Sequence, residues 1–219
     1  ENSWHAAVAS AASFNQTAIS DESPWRKGVG IASCWYGCGN TSLPNPSTMR
    51  IGITADGRIV LHQGAMDIGQ GANTVITQIA ADALGVPVHD VHILGGDTDL
   101  TPDCGKTSAS RQTFVSGKAA MLSGMALRDR VLRHGNVDAN AKIALDGAVL
   151  TLADAGGGTL RIDLADMPVN DFGYVFMAEE TYDPPTSPLD EKGQGVPYAV
   201  FGYGAQIVEL LVDAALGRV

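Results

Sequence analysis

Three cysteines in 219 residues, Cys34, Cys38 and Cys104, are too few and the wrong number for a disulfide framework. They fit a reducing cytosol, and a cytoplasmic protein is expected. Cys34 and Cys38 stand four apart, but no second Cys/His pair has the spacing that a zinc site needs, so they read as loop or half-buried thiols. Basic residues are also scarce. Lys and Arg number 14 against 24 Asp and Glu, for a net charge of −10. No basic patch of the kind that nucleic-acid binding requires is present. No apolar run approaches the roughly 18 residues of a membrane helix. The opening Glu1-Asn-Ser-Trp-His has neither a basic stretch nor a Met, so no signal peptide is visible.

Catalytic groups are thin on the ground. His5, His62, His89, His92 and His134 are scattered, and neither H-E-x-x-H nor G-x-S-x-G occurs. Glu179 and Glu180 are adjacent in a strand pattern and face opposite sides, so they form no acid pair. The chain contains no self-contained catalytic constellation.

What it does contain is enough apolar residue, 45% against 17% charged, to build a core. Asn2 to Ser13 reads as a short Ala-rich helix and Thr17 to Lys27 as a linker. Gly28 to Tyr36 suits a strand. Met49 to Gln63 is a hairpin around Asp56-Gly57. Val75, Ile76, Ile79, Ala80, Ala83 and Leu84 recur at helical spacing, and Gly85 and Pro87 stop that helix. Val88 to Leu94 is the next strand, and Gln112 to Arg133 a long helix. Lys142 to Leu152 turns around Asp146-Gly147. Thr159 to Leu164, Tyr174 to Thr181 and the end of Tyr198 to Val212 complete the strands, with a Pro- and Gly-containing loop from Asp183 to Gly195. Asp213 to Gly217 reads as a hairpin turn whose return strand stops after Arg218 and Val219. That leads to the expectation of a piece of a longer polypeptide, with a frayed terminus as the alternative.

The order of elements predicts an α+β fold, a mixed-sheet two-layer domain with tandem strand–loop–helix units. Residues 1–27 are expected to be an extension or linker and 28–219 part of one domain. The two units carry the loops Met66-Asp-Ile-Gly-Gln-Gly-Ala-Asn-Thr and Gly96-Asp-Thr-Asp-Leu-Thr-Pro-Asp-Cys-Gly-Lys-Thr-Ser-Ala-Ser-Arg-Gln-Thr. Each leads into a helix, and two helix N-termini aimed at one place would bind two phosphates. In an acidic chain the positive potential would come from those N-termini, exposed N–H groups, Lys106 and Arg111.

Neither loop completes a standard motif. Gly69-x-Gly71 has Thr74 where a dinucleotide fingerprint has its third Gly. A P-loop ending in Gly105-Lys106-Thr107 would need Gly at position 100, which is Leu100. Asp97, Asp99 and Asp103 lack the Gly and Glu of a calcium loop and read as turn formers or caps. On residues alone the first loop is equally a ligand loop or a tight helix start with no ligand. The second is an oxyanion cradle of Ser, Thr, Gln and Arg donors or an ordinary Ser-capped helix.

Gly64-Ala-Met-Asp-Ile-Gly-Gln-Gly71, Gly96-Asp-Thr-Asp-Leu-Thr-Pro-Asp103 and Lys106-Thr-Ser-Ala-Ser-Arg-Gln-Thr-Phe-Val-Ser-Gly117 together resemble the molybdenum-binding subunit of the xanthine dehydrogenase/aldehyde oxidoreductase family. So do Gly28-Val-Gly-Ile-Ala, Cys34-Trp-Tyr-Gly-Cys-Gly-Asn-Thr and Tyr203-Gly-Ala-Gln-Ile-Val-Glu-Leu. The resemblance implies a molybdopterin cofactor, often the cytosine dinucleotide form in bacteria. It also implies hydroxylation of a purine-like heterocycle or an aldehyde, with water as the oxygen source. By the same resemblance, Ile68, Gly69, Gln70 and Gly71 contact the pterin side. Ser108, Ala109, Ser110, Arg111 and Gln112 hold cofactor phosphates, with the Ala109 backbone nearest the molybdenum.

The implied partners are the rest of the molybdenum subunit and the iron–sulfur and FAD domains or subunits. Nucleic acid and membrane are not expected. Surface left bare by absent domains makes a homo-oligomer a further expectation. The family's Gly-Gly-x-Phe-Gly-type segment, its Arg-containing loop and its late Gly-x-Gly-Glu with the general base do not occur here. The expectation is therefore a cofactor-holding part of a molybdenum hydroxylase, inactive alone. The alternatives are a stand-alone cofactor-binding or scaffold subunit completed by another chain, and a nucleotide-binding transferase.

Overall fold

The computed structural model describes residues 2–219, with side chains from Trp4 onward. The elements, in order, are α1 (Asn2–Gln16), β1 (Trp25–Cys38), β2 (Ser47–Thr54), β3 (Ile59–Gln63), α2 (Ala72–Leu84), β4 (Val91–Gly95), α3 (Gly117–Gly135), β5 (Lys142–Asp146), β6 (Val149–Ala153), β7 (Thr159–Asp163), β8 (Tyr174–Tyr182) and β9 (Val200–Asp213). They divide into two compact units. One is Cys38–Ala199; the other joins the described residues before it to Val200–Val219.

The larger unit is an α+β domain built on a mixed sheet of order β4-β3-β2-β8. β2 and β3 form the expected hairpin, pairing Ile51 with Leu61 and Ile53 with Ile59. β3 then runs parallel to β4, with Leu61 opposite Ile93, so the segment between them is a β–α–β crossover through α2. β8 adds antiparallel to the other edge of β2, Ile51 facing Ala178. Every residue of β2 but Thr48, Arg50 and Thr54 is buried. Ser47, Met49, Ile51 and Ile53 alternate along the strand and so share one face, the face that α3 covers, while on the other face only Gly52 is buried. The core centres on Met49, Ile51, Ile53, Leu61, Ile76, Leu84 and Leu127. α2 and α3 meet where Gly124 admits the neighbouring backbone, since a Cβ there would stand 2.8 Å from the Ala80 carbonyl oxygen. A separate antiparallel sheet, β5-β6-β7, has Leu150 and Leu152 buried in the same core.

Local signals place most boundaries. Gly85 ends α2 with φ 84° and its N–H on the Ala81 carbonyl. Two expectations shift. Val88–Asp90 is a single 3₁₀ turn after Pro87, so the strand starts only at Val91. The long helix does not start at Gln112. Gln112–Ser116 forms a π turn, and α3 follows from Gly117 to Gly135, capped by Asn136 at φ 49°.

In the smaller unit β1 pairs with β9, and rings of Trp35 and Phe201 lie 5.4 Å apart. The Thr17–Lys27 stretch, read as linker, holds structure at both ends. Lys27 Nζ donates to the Thr17 carbonyl at 2.6 Å and lies over the Phe14 ring, and Trp25 already belongs to β1. At the other end Asp213 bridges Arg218 antiparallel, closing the turn that Asp213 to Gly217 predicted. No helix among the described residues is long and apolar enough to cross a membrane.

Candidate cofactor site

The two loops meet. Thr107 Oγ1 accepts the Met66 N–H at 3.1 Å and donates to the Met66 carbonyl at 2.9 Å. Gln112 Nε2 donates to the same hydroxyl at 3.1 Å and to the Lys106 carbonyl at 3.2 Å. Beside this clasp lies a cleft of about 390 Å³, lined by Ile68 and Gln70 from the first loop and Ser108, Ser110, Gln112 and Thr113 from the second. The tandem β3–loop–α2 and β4–loop units thus converge at the carboxyl ends of the parallel strands, where open sheets place their ligand sites.

The loops differ in what they still offer. In the first, Asp67 folds back over the start of α2. Its Oδ1 accepts from Gly69 N at 2.9 Å and Gly71 N at 3.3 Å, and its Oδ2 from Asn73 N at 3.0 Å. Those N–H groups, led by Asn73, hold its carboxyl below the usual carboxylate range. The helix N-terminus expected to receive a phosphate therefore already carries an anion of its own. Gly69 and Gly71 adopt φ 104° and 84°, as the turn around that carboxylate demands. Gln70 turns onto its own loop, with Oε1 accepting Ile68 N at 2.7 Å and Nε2 donating to the Met66 carbonyl at 3.1 Å. Ile68, 76% exposed, is the apolar surface that this loop presents.

The second loop is the open one. Among the described residues, the N–H groups of Ala109, Ser110, Gln112 and Thr113 have no acceptor, and the Ser108, Ser110 and Thr113 hydroxyls have no partner. Ala109 and Ser110 both take φ 55°, a left-handed pair without glycine. Free donors on a strained turn beside a cleft free of carboxylates are suited to an anion. Arg111 does not supply its charge directly. It lines the cleft but is 1% exposed, and its guanidinium donates to Asn45 Oδ1 and to four backbone carbonyls. Arg111, expected in the loop that holds phosphate, thus lies at the cleft with its side-chain donors already bonded within the protein. Lys106 stays exposed, outside the cleft wall.

Sequence reasoning missed several residues that shape this region. Thr107 was visible as the tail of an incomplete P-loop and as one donor of the cradle, but not as the residue that clasps the first loop. Asp67, followed by Gly69, Gly71 and Asn73, carried a capping signal that was not used. Gly39, whose N–H binds the Ala109 carbonyl at 2.7 Å, and Asn45 carried no local signal. Asp97 and Asp103 cap turns as expected, accepting from Asp99 N at 3.0 Å and Gly105 N at 2.7 Å. Cys34 is exposed and Cys104 buried, and no group of three metal ligands forms among the described residues.

The family model of the molybdopterin cofactor-binding domain matches residues 1–219. This chain belongs to that family. It is 30% identical over 213 residues to the xanthine dehydrogenase molybdenum-binding subunit of Escherichia coli O157:H7, covering 89% of this chain and 25% of the relative. It is 28% identical over 200 residues to xanthine dehydrogenase of Oryza sativa subsp. japonica, covering 88% and 13%. The aldehyde oxidoreductase structure from Desulfovibrio gigas superposes at a TM-score of 0.70 with 26% identity, covering 99% of this chain and 21% of that one. The molybdopterin-binding domain thus spans a quarter or less of the length of these relatives. Its fold is that of molybdenum hydroxylase cofactor domains.

Proposed function

We propose that the cleft between the two loops holds molybdopterin in its dinucleotide form, within an enzyme that hydroxylates a purine-like heterocycle or an aldehyde. The observation that carries this reading is the pair of loops clasped at Thr107 beside a carboxylate-free wall of free N–H and hydroxyl donors. That donor set suits an anionic cofactor: Ala109, Ser110 and Gln112 would hold cofactor phosphate through backbone N–H, with the Ser108 and Ser110 hydroxyls beside them. Ile68, Gly69, Gln70 and Gly71 would form the opposite wall, Ile68 giving apolar contact to a flat ring. The backbone of Ala109 would lie nearest the metal. When bound, the cofactor supplies two-electron oxidation with oxygen drawn from water.

The chain's own part is binding and orientation. Arg111 is the sole titratable residue lining the cleft, and its guanidinium is tied to backbone carbonyls, so nothing in the cleft can take a proton from water or substrate. The base comes from another part of the enzyme, and the isolated chain does not turn over. Iron–sulfur and FAD domains carry the electrons onward. Exposed apolar side chains of the smaller unit, Ile31 at 65%, Trp35 at 71% and Tyr203 at 80%, are surface for such partner domains. The low cysteine content suits the cytoplasm.

Elemental mass spectrometry and fluorescence of the oxidised pterin, applied to the complete enzyme, test the reading. One molybdenum and one pterin per copy are expected; an enzyme free of both overturns it. Turnover of a purine or aldehyde by residues 1–219 alone, with cofactor and a dye acceptor, would refute the division of labour.

A further inference from the structure

Arg111 has five N–H donors, and all five are occupied inside the protein. Nε donates to Asn45 Oδ1 at 2.6 Å. Nη1 donates to the carbonyls of Cys104 at 2.5 Å and Lys106 at 3.2 Å. Nη2 donates to the carbonyls of Asn45 at 3.0 Å and Pro46 at 2.6 Å. None of these acceptors is a carboxylate. A buried guanidinium bonded only to neutral groups is a costly arrangement, and its geometry shows what it is bonded to rather than what it could attract.

The five bonds join two stretches of chain, 45–46 and 104–106, on either side of the open loop. Immediately before Arg111 stand Ala109 and Ser110, both at φ 55°. L-residues resist this region because Cβ crowds the following carbonyl, and two in succession persist only where their surroundings over-determine them. The surroundings here do so. The Gly39 N–H holds the Ala109 carbonyl at 2.7 Å. A Cβ on Gly39 would stand 2.5 Å from Asn45 Nδ2, and a Cβ on Gly105 2.6 Å from Arg111 Nη1. Both glycines also have positive φ, +100° and +67°. The backbone on both sides is thus shaped around the Asn45–Arg111 contact.

We propose that Arg111 is a positioning residue: its fork, locked to the 45–46 and 104–106 backbone, keeps Ala109 and Ser110 left-handed and so keeps the Ser108–Thr113 donors free for the cofactor phosphate. This inference rests on the cofactor reading of the cleft for its ligand and not for its conformational claim. It makes Arg111 indispensable by shape, where a phosphate contact would make it indispensable by charge.

The test uses the complete enzyme and three forms of it: wild type, Arg111→Lys, and Arg111→Lys with Ala109→Gly and Ser110→Gly. Lysine keeps the charge and loses the planar fork. Glycine enters the left-handed region without a Cβ penalty. Arg111→Lys is expected to release pterin at least tenfold faster after dilution, and its crystal structure to show residues 109 and 110 leaving φ +55°. The two glycines are expected to recover at least a third of the logarithmic loss.

A direct phosphate contact predicts the opposite pattern, with lysine nearly as retentive as arginine and no rescue by glycine, and would overturn the proposal. So would residues 109 and 110 unmoved in the Arg111→Lys crystal. If Arg111→Lys fails to fold, Asn45→Ala, which removes one side-chain acceptor, is read by the same two measurements with a smaller loss expected. An enzyme lacking pterin in its wild-type form would sink the proposed function, and the crystal structures would still decide the conformational claim.

Discussion

Thr107 and Met66 are bonded in both directions, the hydroxyl of one accepting the N–H and donating to the carbonyl of the other. A single side chain thereby fixes the spacing of two loops, one following β3 and the other following β4. Thr107→Val keeps the shape and deletes the bonds, so stability is expected to fall by about 1 kcal/mol in urea unfolding, with faster pterin loss. Thr107→Ser, which restores the hydroxyl, is expected to recover more than half of both effects.

Gly105 is held at φ +67° with Arg111 Nη1 2.6 Å from where a Cβ would sit. Gly193 has a similar φ, +72°, with open space around it. Gly193→Ala is expected to cost about 1 kcal/mol through backbone strain alone. Gly105→Ala carries the same strain and also displaces the guanidinium, so about 2–3 kcal/mol is expected by thermal unfolding. Equal losses at the two sites would show that the Arg111 contact yields easily.

His62 is buried, with Nδ1 against the Leu100 carbonyl at 2.9 Å and Nε2 against the Tyr174 hydroxyl. The carbonyl requires a hydrogen on Nδ1, so the neutral ring accepts from Tyr174. Burial, the largest influence, pushes its pKa below the usual 6.5; Arg50 adds to this, and the Leu100 bond and Glu179 oppose it. The unfolded chain therefore takes up this proton first as pH falls. The contribution to stability is complete above about pH 6.5 and is lost as pH drops through the lowered folded value. Thermal midpoints measured from pH 7.5 to 5 are expected to decline over this window, and His62→Gln to flatten the decline.

Asp67 has its carboxyl pulled down by the N–H groups of Asn73, Gly69 and Gly71. Its contribution is present above about pH 3.8 and is lost as pH falls through the lower folded value. At neutral pH, Asp67→Ala is expected to speed hydrogen exchange at Gly69, Gly71 and Asn73 at least tenfold while leaving amides in the middle of α2 unchanged. Unchanged exchange at those three amides would mean that the loop holds its shape without the carboxylate.

Much of the domain was legible because the signals that place it are local. Asp56-Gly57 and Asp146-Gly147 mark their turns, Gly85 its helix end, and the alternation of β2 its hairpin. The elements that escaped are those set by distant partners. Trp25 to Lys27 looks polar and unstructured until β9 lies beside it. The π turn at Gln112 arises where Gln112 is tied to Thr107, Lys106 and Ser116. For the site, the Ser108–Gln112 stretch was visible as a cluster of donors. The direction of Arg111 was not, since its acceptors at Asn45 and Pro46 lie far away in sequence. The occupation of the α2 start by Asp67 was readable, because Asp followed by glycines and a helix is a local pattern.

The place of β2 in its sheet has a consequence for how the chain is made. Its hairpin partner β3 follows at once, but β8, which covers the other edge from Ser47 to Thr54, is translated only after α2, β4, α3 and the β5-β6-β7 sheet. Throughout that interval the nascent protein carries an unfinished sheet whose exposed edge holds Met49, Ile51 and Ile53. Such an edge is a template for wrong pairing. The ordering makes Tyr174 to Tyr182 the stretch whose arrival commits the central sheet to its final form.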